Sequence, residues 1–291
     1  MSAGKLAVFG VPSAAGARSS GVSQAPFALR AAGLLERLRD GGWRVVHLSD
    51  LSLFPLRDDR RREGALNAAG VACAVAAAAD EMQRALAEGF TLVLGGDCSL
   101  VAGTLRGAGQ ALDRPVGLVY LDANADLNTP TTTPSGYLNG QALALALGRG
   151  PVEVVGSVAG EHVALLGFRA LDPGEREALG GLGLALPALA ARRLGMRAAA
   201  ALALDAVENN LGPILVHLDV DLLDPGLMPA KDVLTPGVGL DWTETEELLA
   251  RLVASPRVIG LEVCEFNPQK DPDASLARRL VELLSVALAR R

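Results

Sequence analysis

The stretch Ile214-Leu215-Val216-His217-Leu218-Asp219-Val220-Asp221-Leu222-Leu223-Asp224-Pro225 is an apolar strand that ends on alternating carboxylates. Side chains of an extended chain alternate between faces, so Asp219 and Asp221 share one side while Leu218 and Val220 take the other. Strands that read as apolar runs between helical segments belong to parallel α/β sheets, whose functional groups collect beyond the carboxyl ends of the strands. On either side of this stretch, further strands are expected at 6–11, 43–47, 91–94, 116–121, 162–167 and 258–263. Helices are expected at 26–40, 65–88, 100–111, 140–147, 173–179, 198–209, 243–254 and 272–289. Thr243, with Glu246 three residues on, and Asp273 have the chemistry of helix N-caps. The alternation predicts an α/β three-layer sandwich with a mostly parallel central sheet. No linker or repeat divides residues 1–291, so a single domain is expected. The alanine-leucine tract 182–204 is expected as connecting helices, because Arg192, Arg193 and Arg197 fall at helical spacing.

The chain has 291 residues, half of them hydrophobic, which is ample for a large core. Its net charge is −6 and it has no basic stripe; Arg57, Arg60, Arg61 and Arg62 are interrupted by acids, as in a solvated loop. Nucleic-acid binding is therefore not expected. No segment reaches about 18 consecutive strongly apolar residues, so no membrane span is expected. The apolar run near the N-terminus is too short for a signal peptide, and a cytoplasmic protein is the expectation. The three cysteines, Cys73, Cys98 and Cys264, are odd in number and widely spaced, which argues against a disulfide framework. Cys73 falls in an alanine-rich helix and is expected as a small core residue.

Four loops at expected strand ends carry chemistry. Gly95-Gly96-Asp97-Cys98-Ser99 has glycines for a tight turn but lacks the lysine and spacing of a P-loop. In Asp122-Ala123-Asn124-Ala125-Asp126-Leu127-Asn128, two carboxylates and an amide alternate, and they point to one side if the chain stays extended. Turn-forming Asp and Asn are the bland alternative there. Burying several acids costs free energy unless a cation neutralises them, and an EF-hand is excluded by the missing glycine and distal glutamate. Together with Asp219 and Asp221, these acids suit a binuclear centre whose ions lie about 3.5–4 Å apart. Oxygen donors favour Mn²⁺ or a similar divalent ion. The fourth loop, Glu262-Val263-Cys264-Glu265-Phe266-Asn267-Pro268, offers Glu265 to a cationic substrate and a turn at Asn267-Pro268.

In this order the loops resemble those of the ureohydrolase family of arginases, agmatinases and relatives. Their pattern is Gly-Gly-Asp-His, Asp-Ala-His-x-Asp, Asp-Val-Asp-x-x-Asp-Pro and Glu-x-Asn-Pro. The chain reads GGDCSL at 95–100, DANADLNTP at 122–130, DVDLLDP at 219–225 and EFNP at 265–268. Residues 10–34 are similar to the family's opening segment, so the likeness spans nearly the whole chain. The resemblance implies an arginase-like fold and a metal-bridging hydroxide that attacks a guanidinium carbon. It implies that Asp122 and Asp219 bridge two ions, with Cys98 and Asp126 completing one shell and Asn124 and Asp221 the other. Asp126 and Glu265 are the implied catalytic residues, Glu265 receiving the guanidinium. Asn128 and Ser135 stand where arginases hold the substrate α-carboxylate, Asp172 where they hold the α-amino group, and Asn139 lies in the same loop as Ser135. The implied partner is a small guanidino or hydroxyguanidino amino acid, and homo-oligomers occur in the family.

Three positions depart from the family pattern. Cys98 and Asn124 stand where ligand histidines are usual, and Ser135-Gly136-Tyr137-Leu138-Asn139-Gly140 lacks the proton-shuttling histidine of arginases. His217 lies two residues before Asp219 on the same strand face and is expected as a buried neighbour of the site. A thiolate is a competent, softer ligand. An asparagine oxygen is a weaker donor, so the second ion is expected to bind less tightly. Losing a general acid/base group costs about 10²–10⁴-fold in rate, so arginine is expected to be a poor substrate. Within the family, a branch that hydrolyses N-omega-hydroxy-L-arginine is similar in its cysteine ligand, its Gly-Tyr-Leu at 136–138 and a shortened loop after Asp224-Pro225. A hydroxyguanidine is less basic and needs less proton shuttling, so it is the expected substrate. A catalytically silent relative and an agmatinase or guanidino-acid hydrolase are the alternatives.

Overall fold

The computed structural model describes residues 4–57, 59, 63–154, 156–207 and 212–291. The described strands are β1 Lys5–Gly10, β2 Arg44–His47, β3 Phe90–Leu94, β4 Gly117–Leu121, β5 Val163–Leu166, β6 Leu184–Leu186, β7 Ile214–Asp219 and β8 Val258–Cys264. They form one sheet in the order β2-β1-β3-β8-β7-β4-β5-β6, and every pairing is parallel. The helices are α1 Ala25–Ala31, α2 Leu34–Asp40, α3 Ala68–Glu88, α4 Val101–Leu112, α5 Ala142–Ala146, α6 Ala188–Leu194, α7 Met196–Val207, α8 Trp242–Val253 and α9 Ser275–Leu288.

Strand alternation distributes these helices between two layers. Leu6, Leu92, Val119 and Val216 pack with Leu29 of α1, Leu38 of α2, Ala191 of α6, Ala203 of α7, Leu248 of α8 and Leu284 of α9. Ala7, Phe9, Val93 and Tyr120 point the other way, onto Met82 of α3, Leu105 of α4 and Leu143 of α5. The architecture is the α/β three-layer sandwich expected from the sequence. Each buried leucine contributes about 1.5–3 kcal/mol by leaving water, so both faces must be covered, and the strands read as continuous apolar runs.

Local expectations differ in places. The helix expected at 26–40 is two helices, broken at Gly33, whose φ of +91° no helix accommodates. Residues 173–179 form turns leading into the 3-10 segment Ala178–Gly181 rather than a helix. The tract 182–204 contains edge strand β6 before α6 and α7, because pairing with β5 overrides the helical preference of alanine and leucine. The cap of α8 is Asp241, whose carboxylate takes the Glu244 amide at 2.8 Å while Glu244 takes the Asp241 amide at 2.9 Å. Asp271, more than Asp273, caps α9: its carboxylate accepts the amides of Leu276 at 3.1 Å and Ala277 at 2.8 Å. Cys73 is exposed rather than in the core, because the buried stripe of α3 runs through Val71, Ala74, Val75 and Ala78. Arg60, Arg61 and Arg62 of the expected solvated loop, and residues 208–209 of the helix expected at 198–209, lie outside the described residues. Among the described residues no helix is long and apolar enough to cross a membrane.

The strand order also positions the site. β3, β8, β7 and β4 are consecutive neighbours at the centre of the sheet. The four loops singled out in the sequence leave their carboxyl ends side by side.

Candidate active site

The loop after β3 is pinned from both sides. A Cβ on Gly96 would collide with the Ser13 backbone, and the Gly96 carbonyl accepts the Glu265 amide at 2.8 Å. The Asp97 carboxylate accepts the Ser13 hydroxyl at 2.7 Å, the Gly16 amide at 3.2 Å and the Ser99 amide at 3.1 Å, tying the N-terminal loop to this turn. Cys98 follows in a 3-10 turn, with Sγ 3.3 Å from Asp219 Oδ2 and 3.2 Å from His217 Nε2. Its amide donates to Glu265 Oε1 at 3.0 Å.

The loop after β4 does not stay extended. Asp126 turns into the left-handed region at φ +52°, so Asp122, Asn124 and Asp126 do not simply share one side as alternation predicts. Asp122 Oδ1 accepts the Asn124 amide at 2.7 Å, while its buried Oδ2 has no hydrogen-bond partner among the described residues. Asp126 Oδ2 accepts the Tyr120 hydroxyl at 2.7 Å. Glu265 is left-handed too, at φ +68°. Such backbones cost a non-glycine residue about 1–3 kcal/mol and cluster where function demands the geometry. After β7, Asp219 Oδ1 accepts the Asp221 amide at 2.6 Å. Asp221 Oδ1 accepts the Ala123 amide at 2.9 Å, and its Oδ2 accepts Asn124 Nδ2 at 2.8 Å and the Thr235 hydroxyl at 2.9 Å.

Burial sets the electrostatics. It raises the Asp122 pKa well above the usual carboxylate range, and the charges of Asp126, Asp221 and Asp219 add to it. Burial, then Asp221, does the same to Asp219; burial, then Asp219 and Asp232, does so to Glu265. Burial raises Asp126 against the opposing Tyr120 hydrogen bond. A divalent cation removes this cost. Donor atoms of Cys98, Asp122 and Asp219 all lie within 4.8 Å of one another, and the unpartnered Asp122 Oδ2 belongs to this group of residues. This corner fits a metal ion. The corner at Asn124 and Asp221 fits one less well, since both Asp221 oxygens already take protein donors. Cations also stand beside it: buried Lys231 donates from Nζ to the carbonyls of Asp221 and Leu223, both at 3.3 Å, and Arg169 Nη2 donates to the Asp221 carbonyl at 2.8 Å. Burial lowers the Lys231 pKa, with Asp221 opposing and Arg169 reinforcing.

A cavity of about 240 Å³ opens over these groups, lined by Asn124, Asp126, Asn128, Ser135, Asn139, Asp172, Asp219, Asp221 and Glu265. Cys98 and Asp122 are buried next to it. Asn128 Nδ2 donates to Asp172 Oδ2 at 2.7 Å, and Glu175 joins their loops by accepting the Leu127 amide at 2.9 Å and the Asp172 amide at 2.8 Å. The structure therefore gathers every residue expected from the sequence in one place. It adds residues that sequence reasoning passed over: Lys231, Asp232, Glu175 and Arg18 line the cavity. Arg18 lies over the Tyr137 ring at 5.5 Å, and its amide donates to Asp232 at 2.7 Å. One signal was available, a lysine directly after the apolar Met228-Pro229-Ala230. His217, the expected buried neighbour, gives Nδ1 to Glu262 at 2.7 Å and stacks on Tyr120 with ring centroids 4.5 Å apart.

Comparison with known proteins identifies the family. The chain is 32% identical over 297 residues to the arginase of Bacillus subtilis, covering 98% of each sequence. Its fold matches the crystal structure of the Bacillus caldovelox arginase with a TM-score of 0.88 at 29% identity, and that of the Bacillus cereus arginase with 0.87 at 30%, each over 98% of both chains. A family model described as the arginase family matches residues 4–288, and the chain belongs to that family.

Proposed function

We propose that this protein is a metal-dependent amidinohydrolase that cleaves a C–N bond in the guanidine or hydroxyguanidine of an arginine-like amino acid, preferring N-omega-hydroxy-L-arginine to arginine. The observation that carries this reading is the cluster of Cys98, Asp122 and Asp219, with its unpartnered Asp122 oxygen, beside a cavity lined by Asp126, Asn128, Ser135, Asp172 and Glu265. Cys98, Asp122, Asp126 and Asp219 would hold one ion, and Asp122, Asn124, Asp219 and Asp221 a second, more weakly held one. Bound divalent metal, Mn²⁺ at the carboxylates, supplies Lewis acidity and an activated water.

The rest is done by the chain's own groups. Glu265, anchored through Oε1 to the Cys98 amide, holds the guanidinium nitrogens by charge. Asp126, oriented by the Tyr120 hydroxyl, takes up the proton lost by the attacking water. Asp172 pairs with the substrate α-ammonium, and Asn128, Ser135 and Asn139 hold the α-carboxylate. Residues 135–140 contain no histidine to deliver a proton to a strongly basic leaving amine, which favours the less basic hydroxyguanidine.

A second reading, a silent relative that binds ligand or a partner subunit, is favoured by the hydrogen-bonded Asn124–Asp221–Thr235 corner alone. Against it, four buried carboxylates without metal repel one another. The test is product release from N-omega-hydroxy-L-arginine, arginine and agmatine after reconstitution with Mn²⁺. Hydroxyurea release is expected at a kcat/KM at least about tenfold above that for urea from arginine. Equal or faster arginine turnover overturns the preference, and bound metal with no turnover overturns the activity.

A further inference from the structure

We propose that Cys98, His217 and Cys264 form a soft, zinc-selective metal site on the buried side of Asp219, distinct in chemistry from the carboxylate corner. The inference deepens the metal-dependent reading above and rests on it through Cys98 and Asp219, which the two share.

The sheet builds the site. In the pairing of β7 with β8, His217 is the register partner of Glu262, and Asp219 of Cys264. Residues two apart on a strand share a face, so these four side chains form one patch on the sheet. Cys98 descends on it from the neighbouring loop. Gly95 makes the space, since a Cβ there would collide with the Cys264 sulfur. The ligand atoms of Cys98, His217 and Cys264 all lie within 4.8 Å of one another, and all three residues are buried.

The hydrogen-bond partners define the donors. His217 Nδ1 lies 2.7 Å from Glu262 Oε1, and its Nε2 lies 3.2 Å from Cys98 Sγ; with Nδ1–H donating to the Glu262 carboxylate, Nε2 is free to ligate. Asp219 Oδ2 is a second acceptor 3.3 Å from the same sulfur. Cys98 and Cys264 each bring one thiol proton, which a bound cation displaces as the thiolates form.

A carboxylate on the remote nitrogen of a histidine is the arrangement that orients and strengthens an imidazole ligand. Two thiolates and one imidazole are donors that tetrahedral Zn²⁺ takes. In such a site sulfur and nitrogen ligands stand about 3.5 Å apart, close to the 3.2 Å between Cys98 Sγ and His217 Nε2. The protein then carries zinc behind Asp219, in addition to the harder ions of the carboxylate site in front of it.

The test uses the full chain loaded with Zn²⁺ for X-ray absorption and with Co²⁺ for optical spectra. Two sulfur neighbours around zinc are expected, and Cys264→Ser should remove about half of the thiolate-to-cobalt charge-transfer intensity. Glu262→Gln should weaken zinc binding roughly 10–100-fold, the usual cost of losing such a partner. The sulfur count in the unaltered chain needs no variant to fold. A single sulfur neighbour, or a charge-transfer band unchanged in Cys264→Ser, overturns the inference and leaves the hydrolase reading intact. A two-sulfur site in a chain that hydrolyses no guanidino compound with any added ion overturns the hydrolase reading and leaves this one standing.

Discussion

The two corners of the site meet at Asp219 yet are finished by opposite means. Around Cys98, sulfur, imidazole and carboxylate donors face one another, and Asp122 keeps a buried oxygen with no hydrogen-bond partner among the described residues. Around Asp221, every carboxylate oxygen is met by an amide or hydroxyl, and Lys231 and Arg169 bring positive charge to the same backbone turn. Cysteine and asparagine replace the family's usual histidine in the two corners, with unlike consequences. A thiol can exchange its proton for a cation, whereas an amide N–H occupies the place of one. A site can therefore keep its acids and fit a metal ion less well at one end only.

That contrast can be broken first at the residue both corners share. Asp219→Ala should lower kcat/KM about a thousandfold, roughly 4 kcal/mol of transition-state stabilisation, and should release ions from both positions in metal analysis. Loss from one position only would show that the corners do not share this ligand. The second change sharpens the contrast. Asn124→His removes the amide donor to Asp221 and offers an imidazole, so the second ion should bind about tenfold more tightly in a Mn²⁺ titration. The affinity at Cys98 should not move.

The smallest effect is on stability without metal. Folding raises the pKa of Asp122, Asp219 and Glu265, chiefly through burial. Groups raised in this way contribute stability that is fully present below their ordinary value, about 4, and lost as pH rises through the folded value. Chelated protein should thus melt lower at pH 8 than at pH 6, by roughly 2–4 °C. Added Mn²⁺ should reverse the order, because the ion binds the deprotonated ligands. Calorimetry with and without chelator reads both arms.

Much of the frame was legible in the chain. Strand-helix alternation marked seven of the strands, while Leu184–Leu186 was hidden because three alanine and leucine residues become a strand only by lying beside β5. Helix breaks and caps were less legible. Gly33 in an otherwise helical run and Asp241 in place of Thr243 differ from expectation by backbone conformations that depend on neighbouring segments. In the site, the acids stood out because carboxylates after buried strands are costly and therefore conspicuous. Lys231, Glu262 and Cys264 did not, because each reads as ordinary until its partner is known.

The sequence by itself determined that this protein is a parallel α/β sandwich with acids at strand ends, since periodicity and the cost of buried charge are local properties. Only the tertiary structure decided which loops are neighbours. The order β3-β8-β7-β4 brings His217 to Cys98 across 119 residues of chain and sets Cys264 beside Asp219 in register. Those contacts depend on strand pairing, which no local pattern specifies. They separate a corner that fits a metal ion from one whose carboxylate oxygens already take protein hydrogen bonds.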